Sequence, residues 1–382
     1  MMPCYPSIEW EHLSKRYKSS WYSEAGLPVP EKILLIDDTI TVKQAIEFAR
    51  QKIGLLWNGD YQNGRNLLQA ISRRLEKPPR IGSQKKLTSP PEIFAEHRRQ
   101  QGQKAQILGQ ILISLNQDFV IELRRAQDVS LACKEVLGDI QEPLVMPFKQ
   151  LLAMVSAHEW RKKKVLIPAI HERIIPHFGV FSPIRGEYLE LVKKTKFPPK
   201  LNLAFDIGTG TGVLSVLLAQ RGVSRIIATD IDPRAIACAK DNINALKLQK
   251  TIEVVQTHLF PQAKADLVVC NPPWLPAQPT SSIENAIYDP DSEFLKEFLK
   301  QLPLHLEQQG QAWLILSDLA EHLGLRKRET LLEWIDVAGL NVVEQIQTKA
   351  NHSKIYKRDD PLYFARSQEL TSLWVLAVKD SC

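Results

Sequence analysis

Residues 201–212 read LNLAFDIGTGTG, an apolar run that ends with an aspartate and three glycines at alternate positions. The residues that follow, VLSVLLAQR (213–221), have the apolar spacing of a helix, and RIIATD (225–230) is a second short apolar run. This order predicts a buried strand, a tight glycine-rich turn, a helix and a second strand. The stretch therefore predicts a β–α–β unit, the building block of a parallel sheet.

The same alternation continues toward the end of the chain. PRAIACAKDNINAL and DSEFLKEFLKQLPLHL are predicted helices, whereas IEVVQTHLF, ADLVVC and AWLILSD are predicted strands. Short apolar strands without polar alternation are typical of a parallel sheet that is covered on both faces. The C-terminal half therefore predicts a doubly wound α/β domain, and the last runs, LNVVEQI and SLWVLAV, predict an antiparallel edge hairpin.

The N-terminal half has helical spacing in VKQAIEFARQKIGLLW, NLLQAISRRL and HRRQQGQKAQILGQILISL. The stretch EKPPRIGSQKKLTSPPE (76–92) has four prolines and indicates a linker, while DFVIELRRAQDV (118–129) fits either a strand or a helix. From Pro143 prolines alternate with short apolar runs, which is typical of a segment packed on the next domain. We predict a mainly helical, basic N-terminal domain over residues 1–170, a connecting segment over 171–200 and the α/β domain over 201–382.

Composition places the chain among soluble globular proteins, with 44% hydrophobic and 24% charged residues over 382 positions. No apolar run approaches the roughly 18 residues that cross a bilayer, and charges are scattered through the first residues, so we expect a cytoplasmic protein. The five cysteines are far apart and form no C-x-x-C pair. They predict neither a disulfide framework nor a metal site.

Charge is distributed unevenly between the two halves. Residues 1–200 carry 31 Lys and Arg against 21 Asp and Glu, whereas residues 201–382 carry 18 against 22. A basic half favours an anionic partner, and RNA or a ribosomal particle is preferred to a membrane because no basic amphipathic helix with an aromatic face is present. An ordinary solvated surface explains the same charges, so both interpretations stay open.

The glycine-rich turn contains the first candidate ligand-binding residues. Gly208, Gly210 and Gly212 allow the backbone to turn tightly and to approach a ligand with its N–H groups. A dinucleotide site or a purely structural turn uses a similar pattern. Asp206, just before the first glycine, would repel a pyrophosphate but can accept hydrogen bonds from an ammonium group. The turn therefore favours a nucleoside that carries an amino acid.

Two further positions at strand ends extend this site. Asp230 closes the second predicted strand, where a carboxylate can accept from both hydroxyls of a ribose. Asp232, followed by Pro233, is predicted to cap the next helix. His258 follows the third strand, where an adenine would lie. Contact with the adenine edge and an ordinary surface histidine are both open.

Asn271-Pro272-Pro273-Trp274, after the strand ADLVVC, is the most specific motif in the chain. Two prolines stiffen the loop, so the Asn271 side-chain oxygen and the Pro272 carbonyl can accept from one planar –NH2 group while Trp274 stacks on it. A planar amine is a poor nucleophile because its lone pair is delocalised. Fixing both N–H bonds lets the nitrogen pyramidalise toward an electrophile. A rigid turn with a buried tryptophan is the alternative.

These motifs together resemble the class I S-adenosylmethionine-dependent methyltransferases that carry an Asn-Pro-Pro-aromatic motif and methylate amide or exocyclic amino nitrogens. DIGTGTG, ATDID and VVCNPPW resemble their first, second and fourth motifs. GVFSPIRGEYLELV (179–192) is similar to the segment that covers the cofactor in release-factor glutamine methyltransferases. The resemblance covers residues 179–379. It implies a seven-stranded, Rossmann-like sheet, S-adenosylmethionine as cofactor and no metal.

The resemblance also implies two sets of site residues. The cofactor set is Asp206, Gly208, Thr209, Gly210, Gly212, Asp230, Ile231, His258, Leu259 and Asn271. The catalytic set, which would orient the target –NH2 group, is Asn271, Pro272, Pro273 and Trp274. In one departure, His258 stands where these enzymes usually carry an aspartate that accepts from the adenine amino group.

We therefore predict methyl transfer from S-adenosylmethionine to a planar primary amine, with a base of RNA or DNA as the acceptor on account of the basic half. RNA is preferred to DNA. The alternative acceptor is a glutamine in a translation-related protein, because the same four-residue motif serves both kinds of –NH2 group. A non-catalytic binding protein that keeps the fold is a third interpretation, motivated by His258.

Overall fold

Short strands alternate with helices in the first 160 residues of the chain. The computed structural model, which describes residues 5–76, 89–183, 186–350 and 356–379, has two compact units. Residues 5–76 and 95–159 belong to the first unit, and the remaining described residues belong to the second. None of the helices in these described ranges has the length and apolar character needed to span a membrane.

The first unit contains a mixed sheet that was not predicted from the sequence. Its strands among the described residues are β1 (Ser7–His12), β2 (Lys15–Trp21), β3 (Ile33–Ile36), β4 (Gly54–Trp57), β5 (Ile111–Leu115) and β6 (Leu144–Pro147). They lie in the order β1-β2-β6-β5-β4-β3. The accompanying helices are α1 (Val42–Arg50), α2 (Tyr61–Glu76), α3 (Pro90–Gly109), α4 (Ser130–Leu137) and α5 (Phe148–Lys163), although the start of α3 and the end of α5 belong to the second unit. Helices hold more residues than strands, which agrees with a mainly helical region, but the sheet organises it.

Two of these helices end earlier than predicted from the sequence. VKQAIEFARQKIGLLW is not one helix, because α1 ends at Arg50 and GLLW forms the fully buried strand β4. In the same way α3 ends at Gly109, and ILISL forms β5. Lys52, between α1 and β4, has φ of 60°, which interrupts a right-handed helix. An apolar run of four or five residues looks alike in a buried strand and in a helix, so periodicity alone could not separate them.

Residues 118–129 form neither of the two predicted elements. They make turns and extended chain, and Phe119 and Arg125 have φ values of 61° and 57°. Residues in this left-handed region interrupt both helices and strands. Residues 77–88 of the predicted linker lie outside the described residues, and α3 begins at Pro90.

The segment from Pro143, predicted to be a connection, instead forms regular structure. It contributes β6, α5 and an antiparallel hairpin of β7 (Val165–Ile167) and β8 (Glu172–Ile174). Pro147 is the last residue of its strand, and Pro168 opens a single 3₁₀ turn between the hairpin strands. Prolines at these positions do not remove a needed backbone donor, so the regular elements persist.

The second unit confirms the predicted doubly wound sheet. Its strands among the described residues are β9 (Ala204–Ile207), β10 (Ile226–Asp230), β11 (Ile252–Gln256), β12 (Ala265–Cys270), β13 (Leu306–Ser317), β14 (Leu340–Lys349) and β15 (Leu370–Val378). They lie in the order β11-β10-β9-β12-β13-β15-β14, and β9 to β13 are parallel. The predicted edge hairpin is antiparallel, with β15 between β13 and β14.

Helices cover both faces of this seven-stranded sheet. They are α6 (Glu187–Lys194), α7 (Val213–Gln220), α8 (Pro233–Ala245), α9 (Glu293–His305), α10 (Leu319–His322), α11 (Arg328–Val337) and α12 (Tyr363–Arg366). Leu267 and Val269 of β12 pack into one core with α6, α7 and α8. Val268 and Cys270 pack into the other core with α9 and α11. Burial on both faces explains why these strands read as unbroken apolar runs.

Arg221, just after α7, ties α6 to the sheet. Its guanidinium donates to the carbonyls of Val192 at 2.6 Å and Thr195 at 2.7 Å, at the end of α6. It also lies 3.9 Å from the centroid of the Phe197 ring, which stacks on Trp313 of β13. One cation therefore satisfies the terminal carbonyls of a helix and packs on the aromatic core.

Replacement of Arg221 by methionine should destabilise the protein by about 2–3 kcal/mol, because two partly buried carbonyls lose a charged donor. Urea unfolding followed by tryptophan fluorescence measures this change. Arg225→Met, at an exposed position four residues further along the chain, should change the free energy of unfolding by less than about 0.5 kcal/mol. Equal effects of the two substitutions would contradict the role of Arg221.

Candidate active site

The predicted site residues lie at the carboxyl ends of three neighbouring strands. Asp206 is in β9, Asp230 ends β10 and Asn271 follows β12 directly. Ile207 of β9 pairs with the end of β10 on one side and with the end of β12 on the other. The chain order reverses at β9, and open parallel sheets bind ligands at such a switch point.

The glycine-rich turn has the predicted conformation. Gly208 and Gly210 have φ values of 71° and 56°, in the left-handed region that glycine adopts without strain. A Cβ atom at Gly210 would meet no other atom within 4 Å. The missing side chain therefore leaves open space beside the backbone, as a close-fitting ligand requires.

Asp206 is completely buried, and its two carboxylate oxygens differ. Oδ2 accepts from the hydroxyls of Thr209 and Ser215, both at 2.6 Å, and from the backbone N–H of Ser215 at 3.1 Å. Oδ1 is buried and has no hydrogen-bond partner among the described residues. Burial is the main cause that raises the pKa of Asp206, the three hydrogen bonds oppose it, and the nearby Asp230 raises it further. A buried acceptor without a donor is a position that a ligand or water can satisfy.

Asp230 is bonded directly to the glycine-rich turn. Its Oδ2 accepts from the backbone N–H of Gly210 at 3.0 Å, and its Oδ1 accepts from that of Asp232 at 3.0 Å. Burial is the main cause that raises the pKa of Asp230. Asp232 caps α8 as predicted, because its side chain accepts from the Arg234 N–H at 2.9 Å.

Three further residues of the predicted cofactor set, Ile231, His258 and Leu259, have different surroundings. Ile231 is 63% exposed, so an apolar side chain lies open directly after Asp230. Leu259 is buried, and its carbonyl accepts from the Thr229 hydroxyl at 2.7 Å. His258 is exposed, and its Nε2 lies 2.9 Å from a carboxylate oxygen of Glu297 in α9. Contact of His258 with an adenine therefore stays a prediction.

The Asn271–Trp274 motif is internally hydrogen-bonded. The Trp274 indole N–H donates to Asn271 Oδ1 at 2.9 Å, a contact that was not predicted. Pro272 is buried, and no donor among the described residues reaches its carbonyl oxygen. Asn271, Pro273 and Trp274 are half-buried, and the Trp274 ring packs against the cores on both faces of the sheet. Among the described residues, the Pro272 carbonyl is therefore available as an acceptor, and the Asn271 carboxamide oxygen is partly used.

Two site residues were missed in the sequence. Ser215, in the first turn of α7, donates twice to Asp206, and its position just after the glycine-rich turn could have indicated this. Tyr188 of α6 is buried near Asp206 and Asn271, and both residues affect the pKa of its phenol. Burial first, and then the charges of Asp206 and Glu187, raise the pKa of the Tyr188 phenol, whereas the interaction with Asn271 lowers it. In the sequence Tyr188 looks like an ordinary core residue of an amphipathic helix.

Comparison with known proteins identifies the same region. The family model for ribosomal protein L11 methyltransferase (PrmA) matches residues 188–274, from Tyr188 to Trp274. A provisionally named protein N5-glutamine methyltransferase of Methanocaldococcus jannaschii is 30% identical over 151 residues, which cover 37% of this chain and 75% of that protein.

Two further relatives match over shorter stretches. A ribosomal protein L11 methyltransferase of Alkaliphilus oremlandii is 38% identical over 78 residues, 20% of this chain and 25% of the relative. A tRNA1(Val) (adenine(37)-N6)-methyltransferase of Phocaeicola vulgatus is 34% identical over 107 residues, 27% of this chain and 43% of the relative. This chain thus spans less than half the length of these two relatives. The match to the M. jannaschii protein, over three quarters of its length, shows that the chain belongs to the S-adenosylmethionine-dependent methyltransferases.

Proposed function

We propose that this protein transfers a methyl group from S-adenosylmethionine to a planar primary amine, the exocyclic amine of a base in RNA. The observation that carries the proposal is the arrangement at the switch point. Asp206 and Asp230 lie on one side of it, and the acceptor groups of Asn271 and Pro272 lie at the end of the neighbouring strand. A cytoplasmic location is part of this proposal.

The residues around the glycine-rich turn fit S-adenosylmethionine. Asp206 Oδ1, buried without a donor, would accept from the ammonium group of the methionine portion, directly or through water. Asp230 would accept from the ribose hydroxyls, and the exposed Ile231 would contact the adenine. When bound, the cofactor supplies an electrophilic methyl group.

Asn271 and Pro272 would hold the acceptor amine. The Pro272 carbonyl has no donor among the described residues, and Asn271 Oδ1 keeps one lone pair beside the bond from Trp274. Two fixed acceptors hold both N–H bonds of an –NH2 group, which directs the nitrogen lone pair out of conjugation. The rate enhancement would then come from positioning rather than from a strong base.

The distribution of positive charge supports an RNA acceptor. Residues 1–159 carry 21 Lys and Arg against 18 Asp and Glu, whereas residues 160–200 carry 10 against 3. The excess of residues 1–200 therefore lies mainly in residues 160–200, which belong to the same unit as the site. Lys162, Lys163 and Lys164 are exposed at the end of α5, whereas Arg161 is bonded to Asp241 at 2.9 Å. Exposed cations of this kind bind phosphates.

A glutamine side chain in a translation-related protein is the second candidate acceptor. The M. jannaschii relative, named for N5-glutamine methylation and matched over 75% of its length, favours it. A carboxamide –NH2 group presents the same two N–H bonds as a base amine. The two candidates therefore use the same site and differ in the surface that brings the acceptor to it.

Asn271→Ala should lower methyl transfer by about 100-fold or more, because a preorganised acceptor is removed from the reacting nitrogen. Tritiated S-adenosylmethionine is incubated with total RNA and, separately, with a cytosolic protein fraction. Asn341→Ala, at an exposed position on β14, serves as the matched control and should keep wild-type transfer. Label in RNA supports the first candidate and label in protein the second, while wild-type enzyme that labels neither fraction contradicts the proposed function.

Asp206→Asn should weaken S-adenosylmethionine binding by about 10-fold or more, because the charged acceptor is lost.

Burial raises the folded-state pKa of Asp206, so its ionisation destabilises the ligand-free protein as pH rises through the interval between the unfolded and folded pKa values. The ligand-free variant should therefore unfold at an equal or higher temperature than wild type at pH 8, and the difference should shrink toward pH 4.

Calorimetric titration and thermal unfolding measure these two effects of Asp206→Asn. Asp266→Asn replaces a buried aspartate near the amino end of β12, where it accepts from the backbone of Asn202 and Leu203. That control should leave cofactor affinity unchanged. Unaltered affinity for S-adenosylmethionine in Asp206→Asn would contradict the proposal that Asp206 binds the methionine portion of the cofactor.

Reversal of two exposed charges, Lys163→Glu with Lys164→Glu, should weaken RNA binding and reduce the slope of log K against log salt by about 1–2. Filter binding to total tRNA over a range of salt concentrations measures the slope. The control pair, Lys240→Glu with Lys250→Glu, changes net charge equally at exposed positions of the more acidic half. Equal losses in both pairs would show that net charge, and not this surface, governs binding.

A further inference from the structure

One buried carboxamide joins the glycine-rich turn to a distant part of the chain. Asn242 of α8 is 1% exposed, and its Nδ2 donates to the backbone carbonyl of Thr211, in the turn, at 3.0 Å. Its Oδ1 accepts from the backbone N–H of Ile175, just after β8, at 2.6 Å, and the same Nδ2 lies 3.3 Å from the Ile175 carbonyl. A carbonyl only accepts and an N–H only donates, so these partners decide which end of the amide is the oxygen.

The bond from Asn242 restrains one peptide group of the turn. That peptide joins Thr211 to Gly212, which has φ of 81°. Glycine adopts several backbone conformations at little cost, so the peptide beside it is free to rotate unless its polar groups are held. Its N–H donates to the Thr209 carbonyl at 2.9 Å, and its carbonyl accepts from Asn242. The peptide therefore has one orientation, and Asn242 supplies the restraint on the carbonyl.

Other side chains of α8 hold residues 175–180, the 175–180 segment, against the same helix. Cys238 Sγ donates to the Ile175 carbonyl at 3.4 Å, and His177 Nε2 lies 2.9 Å from Oδ2 of Asp241. Val180 packs against Cys238 in a small buried cluster. The segment is therefore bonded to α8 at its start and near its middle, and it is packed on α8 at its end.

We propose that Asn242 is a positioning residue that couples the glycine-rich turn to the 175–180 segment, so that S-adenosylmethionine bound at the turn also restricts the segment. The inference rests on the proposed function, in which the turn is part of the cofactor site. A ligand that binds the ordered turn favours every group that is coupled to that order. Asn242 would act through Thr211 without touching the cofactor, since both ends of its carboxamide are bonded to backbone groups of the protein.

An isosteric substitution tests the bond to the turn. Asn242→Asp keeps the size of the side chain and an acceptor for the Ile175 N–H, but it replaces the donor to Thr211 by an oxygen. The dissociation constant for S-adenosylmethionine, measured by calorimetric titration, should rise about 10-fold, the effect of one lost hydrogen bond in a buried site. The kcat at saturating cofactor should stay close to the wild-type value, because bound cofactor restores the order of the turn.

Two controls separate this effect from changes in charge or stability. Asn244→Asp makes the same chemical change at an exposed position of the same helix and should keep wild-type affinity. Asp266→Asn removes a buried acceptor from the backbone of Asn202 and Leu203, and it should lower stability without changing affinity. Unchanged affinity in Asn242→Asp, or an equal loss of affinity in either control, would overturn the inference.

Hydrogen exchange tests the coupling itself and does not require the methyl acceptor to be known. In the wild type, saturating S-adenosylmethionine should slow exchange of the backbone amides in the turn and, by at least about 3-fold, in the 175–180 segment. In Asn242→Asp the turn should still respond to saturating cofactor, whereas the segment should no longer respond. Mass spectrometry of peptides that cover the two regions measures both rates.

The outcomes of this exchange experiment distinguish the inference from the proposed function. Slowing at the turn alone in the wild type, or slowing in both regions in Asn242→Asp, would overturn the coupling and leave the proposed function intact. The wild-type measurement gives this answer even if Asn242→Asp does not fold. Exchange that S-adenosylmethionine leaves unchanged in both regions of the wild type would overturn the proposed function, and the coupling with it.

Discussion

The buried carboxylate of Asp206, near the end of β9, is the constraint on which the second unit depends. An ionised group without water is costly unless donors replace the water, and Asp206 receives three, all on one oxygen. Those donors are held in place only because the turn from β9 to α7 is tight, which in turn requires left-handed backbone at Gly208 and Gly210. The residues that make the turn foldable are therefore also the residues that leave one carboxylate oxygen for a ligand.

Register connects this carboxylate to the rest of the site. β10 and β12 flank β9, so Asp230 and Asn271 reach the same edge of the sheet although 40 residues, which form one helix and two strands, lie between them in the chain. A shift of one residue in either strand would turn its buried side chains to the opposite core. The two apolar cores thus fix the register, and the register fixes the distance between the carboxylates and the acceptor groups.

These relations explain how much could be predicted from the sequence. The second unit was predicted well because its strands are apolar on both faces and its site residues stand in contiguous motifs at strand ends. Strands β4 and β5 of the first unit were missed because GLLW and ILISL continue the apolar spacing of the preceding helices. Tyr188 could not be found, since it lies far from Asp206 and Asn271 in the chain and only the packing of α6 brings it near them.

The polar groups of the candidate site fall into two sets, charged carboxylates and neutral oxygens. Carboxylates suit an ammonium group and ribose hydroxyls, and the two that are present lie at the ends of β9 and β10. In the proposed function, the neutral oxygens of Asn271 and Pro272 after β12 would accept hydrogen bonds from the amine without adding a charge beside it. Neutral groups supply little electrostatic driving force, so their orientation must be fixed by stiff neighbours. Two prolines and a packed indole meet that requirement, so the proposed reaction would depend on the rigidity of the scaffold rather than on acid–base strength.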